Sequence, residues 1–244
     1  ESFGPWPMGA DTELLSIVTS ANIACGFHAG DPDVMAGAMA TAVKNGVGIG
    51  AHPGFPDLQG FGRRRMQIAH GTLGNIVRYQ LGAAQAMAKA AGGAVRHIKL
   101  HGALGNMTSE DEALAKAAFE AALSVDPDLI VVVLTATAQE TAVRSLGCAW
   151  AGEIFADRAY NDDATLVDRR LPGAVIHDAA IAGPRIADMV EAGAILTEGG
   201  ARIPAAIDTI CLHGDGPEAV AIARAVRAEL ETRSIALRPF SGRR

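Results

Sequence analysis

The sequence predicts an α/β fold in which a parallel sheet is closed, or nearly closed, into a barrel of about seven strands. Two observations favour this class. Short apolar runs alternate with longer segments of helical periodicity, and many of the apolar runs end in glycine or histidine. Near-continuous apolar strands indicate burial on both faces of the sheet, which is typical of parallel barrels. An open doubly wound sheet is the alternative.

Seven apolar runs have the length of a strand. Each is too short to cross a bilayer, which takes roughly 20 residues. The length of 244 residues fits a single barrel domain spanning 1–244. The predicted strands cover residues 21–25, 47–51, 95–100, 129–134, 149–155, 194–196 and 206–213.

The segments between the strands carry helix signals. Asp31 and Pro32 are predicted to cap and open one helix, and Asp215 and Pro217 to open the last helix in the same way. The remaining helices are rich in alanine, which lets them pack closely against a sheet. They are predicted over residues 72–91, 109–124 and 181–191.

Composition excludes several functional classes. The net charge of −6 argues against a nucleic-acid surface or an anionic membrane surface, because both reward clustered lysine and arginine. Cys25, Cys148 and Cys211 lie far apart and show no paired ligand spacing, so neither a disulfide framework nor a cysteine-rich zinc site is indicated. We therefore expect a soluble protein in the reducing cytoplasm.

Four histidines follow predicted strands directly. His28, His52, His101 and His213 each stand where an apolar run breaks into small residues. The turns that follow parallel strands open on one face of the sheet, so these side chains are expected to converge on one pocket. Neutral imidazole suits proton transfer or metal binding near neutral pH.

Two further segments carry charged candidates. His97, Lys99 and His101 fall on one side of a strand, because side chains alternate with a period of two, and a lysine there can neutralise an anion. In the glycine-rich loop that follows His52, Arg63 and Arg64 present planar donors suited to carboxylate or phosphate.

Acidic residues stand at two other strand ends. Glu153 closes one predicted strand and is followed by Asp157 and Arg158 in the loop. Asp208 lies in an apolar run five residues before His213, where it is placed to orient a catalytic group or to hold a cation.

Together these segments resemble the LamB/YcsF lactam-utilisation family over the whole chain. The resemblance implies a distorted (β/α) barrel, similar to the barrels of polysaccharide deacetylases and YdjC-like proteins. The family begins with a strand that reads Asp-x-Asn-Cys-Asp-x-Gly-Glu, of which only Glu1 is present here, so the first strand is expected to be missing. Leu100 and Gly105 stand where the family usually has proline and tyrosine. The resemblance is carried by residues 21–32, 50–57, 60–64, 153–160 and 208–215.

The resemblance also implies an activity. The family opens the ring of 5-oxo-L-proline to L-glutamate and hydrolyses ATP to ADP and phosphate, acting with separate 5-oxoprolinase subunits B and C. A small lactam is then the substrate and ATP, with Mg²⁺, the cofactor, bound by this chain or by a partner subunit. The catalytic residues would be His28, His52, Lys99, His101, His213 and Asp215, and the cofactor-binding residues Asn22, Arg63, Arg64, Asp157 and Arg158, with no resident metal.

The chemistry of the substrate explains why the reaction uses ATP. A five-membered lactam is a poor electrophile, and phosphorylation of its amide oxygen makes that oxygen part of a leaving group. Arg63, Arg64 or Lys99 would balance the phosphate charge, and a histidine or a carboxylate would activate water.

Two other functions fit the same residues. A metal-dependent amide hydrolase or deacetylase of the same barrel type would use nitrogen and oxygen ligands for Zn²⁺ or a similar ion. A non-catalytic scaffold would hold a small lactam or sugar for a partner to process. The ligands of the metal-dependent alternative would come from His28, His52, His101, Asp208 and His213.

Overall fold

The computed structural model of the chain describes residues 2–4, 6, 9 and 11–244. Glu1 corresponds to the last residue of the family's first-strand motif, and it lies outside the described residues. The strands are β1 (Ser20–Ala24), β2 (Gly48–His52), β3 (Val95–Ile98), β4 (Ile130–Leu134), β5 (Trp150–Phe155), β6 (Ala194–Leu196), β7 (Arg202–Pro204) and β8 (Thr209–Cys211). The helices are α1 (Asp11–Leu14), α2 (Pro32–Asn45), α3 (His70–Ala90), α4 (Gly102–Glu110), α5 (Glu112–Leu123), α6 (Ala138–Leu146), α7 (Ala179–Ala192) and α8 (Ala219–Thr232).

Within the described residues, six strands form one parallel sheet in the order β1-β2-β3-β4-β5-β8. The sheet is strongly curled, because Lys99, just after β3, contacts Cys211 on β8 although two strands separate them. β1 and β8 are the edges. The predicted α/β barrel class is therefore confirmed, and the carboxyl ends of all six strands open toward one side.

The strand count differs from the predicted seven. The run 194–196 does form a strand, but β6 pairs antiparallel with β7 in a separate two-stranded sheet, with Leu196 opposite Arg202. The reason is the length of the connection. A short turn can join only antiparallel neighbours, since a parallel crossover needs a dozen residues or more.

Helix α2 shows how local sequence sets the boundaries of an element. The Asp31 carboxylate accepts hydrogen bonds from the backbone N–H groups of Asp33 and Val34, both at 3.0 Å, so Asp31 caps the helix as predicted. Pro32 occupies the first turn, where its missing N–H costs nothing. Gly46, in the left-handed region at φ 68°, ends the helix.

Two helix predictions are wrong. Helix α8 begins at Ala219, beyond Asp215, because the Asp215 carboxylate pairs with Arg63 and makes no capping bond. The segment 109–124 is not one helix. Asp111 interrupts it, ending α4 and capping α5 by accepting a hydrogen bond from Ala113 N at 2.9 Å.

Helix α3 fixes the turn that follows β2. Gln80 is fully buried, and its amide both accepts from Gly54 N at 3.0 Å and donates to Gly54 O at 2.9 Å. This paired contact satisfies both backbone groups of a buried turn, which would otherwise cost free energy. The helix itself is held by an apolar stripe at helical spacing, formed by Leu73, Val77, Leu81, Ala84 and Ala88. No helix in the described part of the chain is long and apolar enough to span a membrane.

Candidate functional site

A cavity of about 1260 Å³ runs along the inside of the curled sheet. It is lined by residues from the carboxyl ends of the strands and from the loops that follow them. Of the predicted catalytic and cofactor-binding residues, only Asp157 does not line the cavity directly. Those that do are Asn22, His28, His52, Arg63, Arg64, Lys99, His101, Arg158, His213 and Asp215.

Three of the predicted histidines form one cluster. The rings of His28 and His101 stack face to face, with centroids 3.6 Å apart and planes 6° from parallel. His52 meets His101 edge-on at 4.9 Å. Burial lowers the pKa of all three imidazoles, that of His101 to about 3, so the rings are neutral at physiological pH.

The 61–62 turn holds His101 in place. Phe61 lies in the left-handed region at φ 52°, which is uncommon for a residue with a side chain, and its carbonyl oxygen is 2.7 Å from His101 Nε2. A Cβ atom on Gly62 would come within 2.7 Å of His101 Cδ2. Only glycine therefore lets this turn approach the imidazole so closely.

His52 and His101 share an incomplete hydrogen-bond chain. His101 Nε2 donates to Phe61 O, His52 Nδ1 donates to Lys99 O at 2.7 Å, and the two remaining nitrogens face each other at 3.2 Å. The carbonyl oxygens only accept, so the two hydrogens of a neutral pair are both used on them. Two lone pairs then face each other, and the pair has room for one proton between its rings.

Lys99 is the centre of a buried polar group. Its ammonium forms an ion pair with Glu153, donates to Cys211 Sγ at 2.9 Å and lies 4.5 Å from the centre of the Phe155 ring. Burial alone would lower the pKa of Lys99, but its partners raise it above the usual value. Burial raises the pKa of Cys211 to about 12, so that residue is a neutral thiol. Glu153 therefore balances the charge of Lys99.

His213 and Asp157 form a carboxylate–imidazole pair. His213 Nδ1 lies 2.7 Å from Asp157 Oδ2 and 2.9 Å from Oδ1, which orients the ring and leaves Nε2 without a partner among the described residues. Burial lowers the pKa of His213, although Asp157 opposes the shift. Burial alone would raise the pKa of Asp157, but its interaction and hydrogen bond with His213, together with the charge of Arg169, lower it, and the carboxyl stays ionised.

Arg63 and Asp215 meet at the mouth of the cavity. Arg63 Nη2 donates to Asp215 Oδ2 at 2.7 Å, and both side chains are partly exposed. Arg64, also a candidate, behaves differently. It is largely exposed and donates to the buried carboxylate of Asp57, which also accepts from Gly60 N at 3.0 Å. Arg64 thus stabilises its own loop through the pair with Asp57, and its guanidinium is not free to bind a ligand in the cavity.

Arg158 and Asn22 are committed to other protein groups. The buried guanidinium of Arg158 donates to the carbonyl oxygens of Val167 and, at 3.2 Å, Ala174. Asn22 accepts from His97 Nε2 at 3.0 Å, one layer deeper in the sheet than His52 and Lys99. Both candidates therefore support the walls of the cavity.

The prediction that Asp208 orients a catalytic group or holds a cation is wrong. Its carboxylate accepts from Gly152 N at 2.9 Å and pairs with Arg243, since it precedes β8 and so lies at the opposite end of the strand from His213. In the described residues no group of three or more His, Cys, Asp and Glu side chains is arranged to hold a metal. The stacking of His28 on His101 prevents their nitrogens from converging, so these donors do not fit a metal ion.

Sequence reasoning missed two residues of this site. Glu153 was named only as a strand end, and its pairing with Lys99 depends on the curl of the sheet. Arg169 also lines the cavity, half-buried, in the stretch 156–173, which has no periodicity that would place it. The only available signal was the length of that loop, because long ordered loops often carry function.

The chain has close relatives over its whole length. The model of the LamB/YcsF family matches residues 1–244. A protein of Ruegeria pomeroyi, named as the A subunit of 5-oxoprolinase, is 68% identical over 240 residues, covering 98% of this chain and 95% of that protein. One of the same name from Azorhizobium caulinodans is 50% identical over 241 residues, covering 99% of this chain and 95% of its own.

A solved structure has the same fold. The crystal structure of a lactam utilization protein from Thermus thermophilus matches with a TM-score of 0.91 and 40% sequence identity. The match covers 98% of this chain and 96% of the other. The shared architecture therefore includes the curled sheet around which the cavity is built.

Proposed function

Because this chain belongs to the LamB/YcsF family, we propose that it is the A subunit of an ATP-dependent 5-oxoprolinase, which opens 5-oxo-L-proline to L-glutamate with subunits B and C. One observation carries the proposal. A neutral histidine oriented by a carboxylate, His213 with Asp157, lies beside a buried lysine cation in one cavity. A cytoplasmic location stays a prediction.

His213 is the general base of the proposed reaction. Asp157 holds Nδ1 in its protonated form, so Nε2 carries the lone pair that takes a proton from the attacking water. The same Nε2 then returns the proton to the lactam nitrogen as the ring opens. A correctly placed acid or base contributes typically 10² to 10⁴-fold to a rate.

Lys99 balances the negative charge carried by the phosphorylated lactam oxygen. The Phe155 ring contacts both Lys99 and His213, with its centre 4.5 Å from the ammonium and 5.6 Å from the centre of the His213 ring. The two groups therefore face the same part of the cavity. Because the ammonium is held by Glu153 in a buried position, its charge acts with little screening by water.

The His52–His101 pair is the second proton-handling group. Both rings line the cavity, and a proton placed between them completes their hydrogen-bond chain. We assign this pair the transient uptake of the second proton of the attacking water, which then passes to the amine released by ring opening. His28 supports the pair by stacking on His101.

ATP, when bound, would supply the phosphoryl group that activates the amide oxygen. After the C–N bond breaks, a second water would release that group from the new carboxyl as inorganic phosphate. The sequence has no Gly-x-x-x-x-Gly-Lys-Ser/Thr loop, so a nucleotide would be held by other groups. Arg63, at the mouth of the cavity and only partly exposed, is the residue of this chain best placed to face a phosphate.

The test is reconstitution. The purified chain is mixed with its B and C partners, ATP and 5-oxoproline, and glutamate and ADP are measured together. We expect both products in equal amounts. In a complex whose assembly has been verified, release of ADP without glutamate, or of neither product, contradicts the proposal.

A further inference from the structure

We propose that Arg169 is the anchor for the carboxylate of the lactam substrate. The inference rests on the proposed function and deepens it, because it states which feature of the substrate this chain recognises. The binding site that results takes a small ring that carries one carboxylate, and it selects against the same ring without that group.

Charge pairing around the cavity distinguishes Arg169 from its neighbours. Each other buried or half-buried charged side chain that lines the cavity has a partner within the protein, whereas the guanidinium of Arg169 makes no hydrogen bond or ion pair with any described residue. The partnered contacts are Arg63–Asp215, Lys99–Glu153, His213–Asp157, Arg170–Asp168, Arg64–Asp57, and Arg158 with the carbonyl oxygens of Val167 and Ala174.

The position of Arg169 also suits an anion-binding role. It is half-buried and lines the cavity together with His213 and Asp215. Its charge is close enough to affect the pKa values of Asp157, His213 and Asp215. A guanidinium withdrawn from water and left without an acceptor is costly, and an anion placed against it would offset that cost.

Hydrogen bonds order the loop that carries Arg169. Asp168 accepts a hydrogen bond from Arg170 N at 3.0 Å, and Leu171 N donates to Asp168 O at 2.9 Å. Further along, Arg158 and Val175 form an isolated antiparallel bridge. The loop therefore presents Arg169 in a fixed turn, and less conformational entropy is lost when an anion binds.

The shape of 5-oxoproline suits an anchor at Arg169. In 5-oxoproline the ring nitrogen separates the carbon that bears the carboxylate from the carbonyl carbon. An arginine fork binds a carboxylate through two parallel hydrogen bonds, which fixes orientation as well as position. With the carboxylate on Arg169, the ring extends toward the neighbouring His213, and the carbonyl is presented to the catalytic groups.

The experiment compares two ligands in the assembled complex. They are 5-oxoproline and 2-pyrrolidinone, which is the same ring without the carboxylate. The variants are Arg169→Met, Arg169→Lys, and Arg202→Met as a control for loss of an exposed arginine. The Kd of each ligand is measured by calorimetry without ATP, and KM and kcat for 5-oxoproline are measured with ATP.

We expect Arg169→Met to weaken 5-oxoproline at least tenfold in Kd and KM, with a smaller change in kcat and no change in the Kd of 2-pyrrolidinone. Arg169→Lys should recover part of the loss, and Arg202→Met should match the wild type. The inference is overturned if Arg169→Met leaves the Kd of 5-oxoproline unchanged, if it weakens both ligands equally, or if the wild type binds both equally. Binding without turnover in the wild type would count against the proposed function alone.

Discussion

The imidazole of His213 and the carboxylate of Asp157 lie 2.7 Å apart although 56 residues separate them in the chain. The register of the sheet explains the contact. Phe155 on β5 pairs with Cys211 on β8, and each candidate follows its strand partner by two residues. Parallel pairing therefore places the two side chains next to each other at the carboxyl edge. The pair is a consequence of topology, and it defines the reactive end of the cavity.

Replacing Asp157 with asparagine tests the orienting role. Asparagine keeps the size of the side chain but cannot hold Nδ1 protonated, so we expect kcat to fall at least about 100-fold. Asp157 also raises the pKa of His213. The acid limb of the kcat profile, which reports protonation of His213, should therefore move to lower pH in this variant.

The matched control is Asp33→Asn, which changes an exposed aspartate in the first turn of α2. Its kcat and pH profile should match the wild type. An Asp157→Asn variant with wild-type kcat would show that the pair is only structural.

Lys99 and Glu153 should show strong energetic coupling. Each is buried, so Lys99→Met or Glu153→Gln leaves the partner without compensation, at a cost of about 3–5 kcal/mol in the free energy of unfolding. The double variant removes both charges and should be more stable than the two single losses added together imply. Urea unfolding of the four proteins gives the coupling energy.

The same four proteins separate stability from activity. Turnover should be absent wherever Lys99 is replaced, even in the double variant with restored stability. Additive losses of stability would contradict the ion pair, and turnover by the double variant would remove Lys99 from the mechanism.

Asp31 and Asp215 occupy similar sequences but should respond differently. Asp31→Ala removes a helix cap and should cost about 0.5–2 kcal/mol of stability with little effect on turnover. Asp215→Asn removes the charge that holds Arg63, so we expect near-normal melting with at least a tenfold loss of turnover, equal to about 1.4 kcal/mol in the barrier.

Thermal melting and kcat/KM of both variants distinguish a helix-capping role from a role in the functional site. Retained turnover in Asp215→Asn would leave its pair with Arg63 as a surface contact only. A large activity loss in Asp31→Ala at unchanged stability would mean that the cap also serves the site.

The buried His97 should make stability depend on pH. Burial lowers its pKa from 6.5 to about 3. The unfolded chain therefore takes up the proton first, and stability that is complete above pH 6.5 is lost as the pH falls toward the folded pKa, by about 1.4 kcal/mol per pH unit. His97→Asn should make the decline below pH 6.5 less steep.

The neighbouring charges of Lys99 and Arg96 act in the same direction, since each disfavours a protonated His97. Urea unfolding at several pH values measures the slope. His177→Asn, at an exposed position, is the control and should leave the slope unchanged. An identical slope in His97→Asn would show that this group does not titrate between the two states.

Most of the fold could be predicted from local sequence. Periodicity and capping residues predict elements such as α2, because those features act over a few residues. The position of the histidines at strand ends also predicts their convergence. The predictions that failed concern contacts between residues that are distant in the sequence. Asp215 could be identified as the partner of Arg63 only after folding brought together positions 152 apart, and Arg169 lies in a loop that has no local pattern.

The most direct test of the central claim is the rate of glutamate release by the complex assembled with a His213→Gln subunit. Nε2 of His213 is the proposed base, so the account predicts a rate at least 100-fold below the wild type, with unchanged assembly and with His177→Gln at the wild-type rate. A His213→Gln complex that releases glutamate at the wild-type rate would contradict the claim that the lactam is opened in this cavity.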